Sequence, residues 1–260
     1  MHKGRLTDSL HMDVLSPSQV LIANAPIVQN IEDYRPGPVL SLAITQVETL
    51  TPAQQKKLVS RWCALLPTLK EVKYLGFSSR VTQDMFDAAC SMPNLEHLFV
   101  KWSALAHIRE LPTARKLRQL YIGASAKLEG IAELAEMRNL IRLNLQQFNK
   151  IDDFAPVSGL VQLECLGIDG SMWTRQHLRS LQPLAGLTEL RHLTLTNTQA
   201  EDQSFDPLLG LHKLERFHCS WNYPEAEFAK LKRLPKLKHG NVETTWKEIK
   251  QKLQQEHRNQ

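Results

Sequence analysis

The 260-residue sequence contains no apolar run approaching the roughly 20 residues that cross a bilayer, so no membrane association is expected. Its four cysteines, Cys63, Cys90, Cys165 and Cys219, are scattered and include no C-x-x-C pair. That spacing supports neither a zinc ribbon nor a disulfide framework, and free thiols in a reducing compartment are expected. Near the start, His2, Lys3 and Arg5 are interrupted by Asp8, His11 and Asp13 where a signal peptide would need its apolar core. We therefore expect no secretory leader and a cytoplasmic location. Phosphate-cradling glycine loops, H-E-x-x-H and G-x-S-x-G are all absent, and the ten histidines show no ligand spacing. No cofactor, no metal and no enzymatic activity are expected.

Charge of one sign is scarce until the chain's last stretch. Residues 211–260 carry eleven Lys and Arg against six Asp and Glu, whereas the first 210 residues balance 21 against 21. A basic end can attract nucleic acid or an acidic protein. A neutral body steers a polyanion poorly, which ranks nucleic acid second among partners.

What the chain does have is one phrase repeated nine times: apolar, two variable residues, apolar, one variable residue, apolar. Clear copies begin at Leu95, Leu117, Leu140, Leu163 and Leu190, and weaker ones at Val39, Val72, Leu214 and Leu237. A period near 23 with this phrase is the signature of leucine-rich repeats. The phrase reads as a short strand whose first, fourth and sixth residues fill a core, while the residues between face the opposite way onto a concave sheet. The fold expected is an α/β leucine-rich repeat solenoid, a horseshoe with a parallel concave sheet. Residues 1–35 are expected to form an N-terminal cap, disordered in part, residues 36–242 the solenoid, and residues 243–260 a capping helix with Trp246, Ile249 and Leu253 on one face, followed by a frayed tail.

The return path is also regular. Pro156, Pro183 and Pro207 each begin Pro-x-x-Gly-Leu, with Gly159, Gly186 and Gly210 closing the turn. This resembles the bacterial, internalin-like class of leucine-rich repeat, and the resemblance implies a single short helical or 3₁₀ turn on the convex side. One departure stands out. The column that usually holds Asn reads Ser103, Ser125, Phe148, Ser171, Thr198 and Asn222, so a side-chain ladder should break at Phe148. Thr51-Pro52-Ala53-Gln54 reads as a capping box opening a longer helix near 52–66, and a second helix is expected near 82–90. Thr174 could start a further helix reaching Ser180, with Trp173 as a plug beneath the loop before it.

Recognition should lie in the variable columns. The third phrase position reads Ser41, Tyr74, His97, Gln119, Arg142, Cys165, His192, Arg216 and His239; the fifth reads Ala43, Gly76, Phe99, Tyr121, Asn144, Gly167, Thr194, His218 and Asn241. Tyr74, His97, Phe99, Lys101, Trp102, Tyr121 and Arg142 gather as one aromatic and basic patch, and Arg216, His218 and Trp221 as a second. Exposed aromatics beside arginine are the composition of protein-interface hot spots. The expected function is a non-enzymatic protein-binding module that grips one protein partner on its concave face, with inhibitor, immunity or effector roles as narrower versions. A nucleic-acid-binding solenoid and a self-associating scaffold are the alternatives, and a monomer is favoured. Cys165 and His192 share a column, which raises a nucleophilic pair, but a flat sheet offers no oxyanion hole.

Overall fold

A computed structural model of the chain describes residues 16–242. The expectations of a disordered leading segment and of a C-terminal capping helix fall on residues 1–15 and 243–260, outside the described residues. The strands are β1 (Ile27–Val28), β2 (Val39–Leu42), β3 (Tyr74–Phe77), β4 (His97–Val100), β5 (Gln119–Ile122) and β6 (Arg142–Gln146). They continue as β7 (Cys165–Asp169), β8 (Gln176–Leu178), β9 (His192–Leu195), β10 (Thr198–Ala200), β11 (Arg216–Cys219) and β12 (His239–Gly240). Ten form one sheet in the order β1-β2-β3-β4-β5-β6-β7-β9-β11-β12, while β8 and β10 pair separately. Adjacent phrases bond in parallel, as stacked repeats must.

The phrase folds this way because strand side chains alternate between faces. Leu98, Leu120, Leu143, Leu166 and Leu193 align across the sheet and are buried on one face, together with the leucines that open each clear copy. Burying one such side chain is worth about 1.5–3 kcal/mol, so the stack of leucines carries the solenoid. The return path is a 3₁₀ turn at Ala155–Gly159, Gln182–Leu184 and Asp206–Leu208, each with proline in its first turn. Four α-helices complete the chain: α1 (Pro17–Asn24), α2 (Pro52–Leu65), α3 (Gln83–Cys90) and α4 (Glu225–Leu231). α2 and α3 fall where their capping residues Thr51 and Thr82 place them.

Three local expectations need correction. The first phrase starts two residues earlier than Val39: Leu40 pairs with Leu75 and Leu42 with Phe77, so Val39 faces the open side with Tyr74. A two-residue slip preserves the inward–outward alternation, which is why the sequence fits both registers. Residues after Thr174 form β8 rather than a helix, with Gln176 and Leu178 buried and His177 exposed. Finally, Phe148 does interrupt the polar column, but Gln176 repairs it from the next repeat. Its Oε1 accepts from the Phe148 N–H at 2.9 Å and its Nε2 donates to the Ile151 carbonyl at 2.6 Å. Elsewhere short side chains hold the column, as with Thr198 Oγ1 donating to Ile168 O at 2.7 Å.

Candidate binding face

One part of the open face is covered by the chain itself. Ser16-Pro17-Ser18-Gln19 forms a capping box, with Gln19 N–H donating to Ser16 Oγ at 3.3 Å and Ser16 N–H to Gln19 Oε1 at 2.8 Å. Pro26 pushes Ala25 into extended backbone and ends α1. The helix lies on β2 and β3 and reaches Phe99 on β4 and Gln119 and Tyr121 on β5. Ser16 Oγ and Ser18 Oγ both donate to Gln119 Oε1 on β5, at 2.6 and 2.9 Å. One turn on, Ile22 seats over Gly76 on β3 so closely that a Cβ there would meet Ile22 Cγ2 at 2.2 Å. Glycine suits that position because the Ile22 side chain sits directly above the strand and would have to move for any larger residue. The sheet's free edge is capped separately by β1, pairing Val28 with Leu42.

This cover changes the first predicted patch. Phe99 and Tyr121, expected on display, are 2% and 5% exposed and pack with Ile22 as a small second core. Their rings stack with centroids 4.4 Å apart and planes 11° apart, and Tyr121 Oη donates to Gln146 Oε1 at 2.8 Å. Burial raises the Tyr121 phenol's pKa above its ordinary value. Tyr74 and His97 are half-buried beside them and meet edge to face at 4.6 Å. Burial lowers His97 to about 4, with Arg118 and Arg142 adding to the effect and Glu96 opposing it. Lys101 is half-buried at the end of β4, whereas Trp102 beside it is 43% exposed.

Beyond α1 the face is polar and half-buried, with Cys165 just 5% exposed. Arg142, Asn144, Cys165, His192, Thr194, Arg216 and His218 follow one another across β6, β7, β9 and β11. Among the described residues neither Arg142 nor Arg216 makes an ion pair, while lysines and arginines elsewhere bridge neighbouring repeats, as Arg191 does to Glu215 at 2.8 Å. Asp169 at the margin is engaged by Thr194 Oγ1 at 3.0 Å and by the Thr196 N–H at 2.7 Å. Cys165 Sγ lies 3.6 Å from His192 Nδ1. Burial pushes the thiol up to about 11 and the imidazole down, so the pair stays neutral and a nucleophilic thiolate is disfavoured. Trp221, in the second predicted patch, is half-buried against Phe228 of α4, with ring centroids 4.7 Å apart.

The feature that sequence reasoning misplaced is the loop after β7. Met172 is 83% and Trp173 89% exposed, so Trp173 is a projection and not a plug. The loop that carries them is braced. Ser171 Oγ accepts from the Trp173 and Thr174 N–H groups at 3.2 and 2.9 Å, and Asn197 Nδ2 donates to Ser171 O at 2.7 Å. Gly170 is enclosed by the Asn197 and Thr174 carbonyls, which a Cβ would meet at 2.3 and 2.6 Å. The four-residue excess of this repeat was the available signal; the direction in which it bulges was not encoded in the period.

No family model matches the sequence, and no curated protein matches it. Solved structures do. Internalin F of Listeria monocytogenes is 18% identical over 67% of this chain and 55% of its own, with a TM-score of 0.51. Internalin C2 of the same organism is 24% identical over 68% and 72% of the two chains, with a TM-score of 0.49. The plant peptide hormone receptor RGFR1, solved in complex with RGF2, is 19% identical over 67% and 28%, with a TM-score of 0.48. This chain thus spans little more than half the length of the internalin F structure. The parallel sheet, its 23-residue period and the likeness to internalin F define a leucine-rich repeat solenoid. Within that class its fold is internalin-like, with short 3₁₀ turns opposite many of the strands.

Proposed function

We propose that this solenoid is a non-enzymatic binding module for a protein partner, held between the polar part of its concave face and the rim that carries Met172 and Trp173. The observation that carries the reading is Trp173, 89% exposed on a loop fixed by four side-chain and backbone hydrogen bonds. A large aromatic held rigidly in water gains its burial on binding at little entropic cost, as interface anchors do. Arg142 and Arg216, without ionic partners among the described residues, suit acidic groups on the same partner. Trp102 lies at the same strand ends and extends the rim.

The test is affinity capture from the source cells with wild type, Trp173→Ala, and Val161→Ser as a control exposed in the turn before β7. The expected result is one stoichiometric protein whose affinity falls by about 30-fold or more in Trp173→Ala, the loss typical of a hot spot, and is unchanged in Val161→Ser. Equal retention by Trp173→Ala would sink this choice of surface. Captured material that disappears on nuclease treatment would replace the protein partner with a nucleic acid.

A further inference from the structure

The covered part of the face supports a second inference, which does not depend on the Trp173 rim. We propose that the aromatic trough on β3–β5 is itself a helix-binding site, with α1 as an exchangeable occupant that a helix of a partner protein, carrying the same aliphatic and hydroxyl contacts, displaces. The chemistry of that helix is written in α1. It presents an aliphatic side chain over Gly76, against Phe99 and Tyr121, and small hydroxyls one turn earlier toward Gln119.

Four features make α1 a replaceable ligand. It has eight residues, shorter than the roughly 12 needed for a helix to be even marginally stable alone, so its order depends on docking. Its polar grip on the sheet is Gln119, and among the described residues no backbone hydrogen bond joins residues 16–25 to any strand. Ala23 packs beside Ile22, but Val20 and Leu21 face water, so two of the helix's larger apolar side chains are not spent on the trough. The fit is also incomplete: Ser41 Oγ and His97 Nδ1 are buried on this face without hydrogen-bond partners. A buried polar group left unpaired costs about 1–3 kcal/mol, which a better-fitting helix recovers. Beneath α1, Phe99 and Tyr121 are aromatic groups that the inward-facing leucine core does not need, since they point away from it.

The geometry supplies its own lock. Ile22 Cβ lies 3.6 Å from the position of a Cβ on Gly76, within the 3.5–4.5 Å that a disulfide spans. Ile22→Cys/Gly76→Cys, oxidised, therefore pins α1 down, and Ile22→Ala loosens it while leaving the trough intact. The probe is a fluorescent synthetic peptide of residues 16–26, read by anisotropy, with the same peptide carrying Asp in place of Ile22 as its control. The oxidised lock should bind at least about tenfold more weakly than Ile22→Ala, with wild type between them and dithiothreitol restoring binding to the lock. The control peptide should not bind. Equal binding to the oxidised lock and to Ile22→Ala, or equal binding of the control peptide, overturns the proposal. Amide exchange on wild type gives a second reading that requires no variant to fold. Residues 19–24 should exchange far faster than β4 and β5, and protection equal to that of the strands would make α1 a permanent part of the fold.

Discussion

Two parts of one sheet face, built from the same two columns of the same repeat, meet water in opposite ways. Over β3–β5 the columns hold Tyr74, Gly76, Phe99 and Tyr121, and the chain lays α1 on them. Over β6–β11 they hold Arg142, Asn144, Cys165, Gly167, His192, Thr194 and Arg216, a polar stretch that is half-buried by its own side chains, with Cys165 and Gly167 buried beneath their neighbours. The repeat core beneath is the same leucine stack in both. The side chains of the variable columns therefore decide which part of the face the chain folds onto and which it leaves for solvent or a partner. Aromatic residues on a solenoid face are ambiguous by themselves: they mark a surface to be covered, and the coverer can belong to the same chain.

The largest expected effect tests whether the cover stabilises. Phe99→Ala should cost about 3 kcal/mol in urea unfolding, as for a buried phenylalanine, whereas Asn144→Ala, the next-but-one residue in that column, should stay within about 0.5 kcal/mol. Ile22→Ala alone should cost about 2 kcal/mol. In the double variant the two losses should fall short of their sum by at least about 0.5 kcal/mol, because each residue is buried by the other. Strict additivity would mean that Phe99 is stabilised by the sheet without α1, and the contrast between the two parts would vanish.

The same contrast explains how far the sequence could be read. The period placed the strands, because each leucine's core role repeats every 23 residues, and the Pro-x-x-Gly-Leu phrase placed the turns. The first repeat slipped by two residues because Val39-x-x-Leu42-x-Ile44 satisfies the phrase as well as the true register, which pairs Leu40 with Leu75. α1 opens on Ser16-Pro17-Ser18-Gln19, the same kind of capping phrase that located α2 at Thr51-Pro52-Ala53-Gln54, but the sequence reading passed over it. Its landing place was not legible, since a helix with just two buried residues carries almost no amphipathic signal. The one hint was Gly76, a residue without a side chain in a column of aromatics. Trp173 was misjudged for a related reason: an inserted loop has no period, so nothing in the sequence says whether its tryptophan points in or out.

A smaller effect separates the two histidines that flank the boundary. Burial keeps His97 neutral, with its pKa near 4 in the folded chain against about 6.5 unfolded. The unfolded chain thus takes up a proton first as pH falls. The stability this group contributes is complete above about pH 6.5 and is lost as pH drops toward 4. Because the imidazole is only partly enclosed, the loss should be on the order of 1 kcal/mol rather than the full value of the shift. Urea midpoints at pH 7.5 and pH 5 should differ for wild type and lie closer together for His97→Gln. His192, on the polar part, is lowered in the same direction and adds its own contribution. If His192→Gln flattens the pH profile more than His97→Gln does, burial under the margin of α1 is not what distinguishes the two sites.

The smallest expected effect concerns Arg142, which stands where cover gives way to open face. It holds no ion pair among the described residues, so Arg142→Gln should leave stability at pH 7.5 within about 0.5 kcal/mol. Its charge nonetheless reaches both histidines and helps to hold each below its ordinary pKa. Removing that charge should move both imidazole titrations upward, as read by NMR, and so soften the loss of stability at low pH. Unchanged stability together with raised imidazole titrations is the outcome that fits the proposed role of Arg142 in binding an acidic group on a partner. A destabilisation above about 1 kcal/mol would instead make Arg142 part of the scaffold and remove it from the proposed binding face.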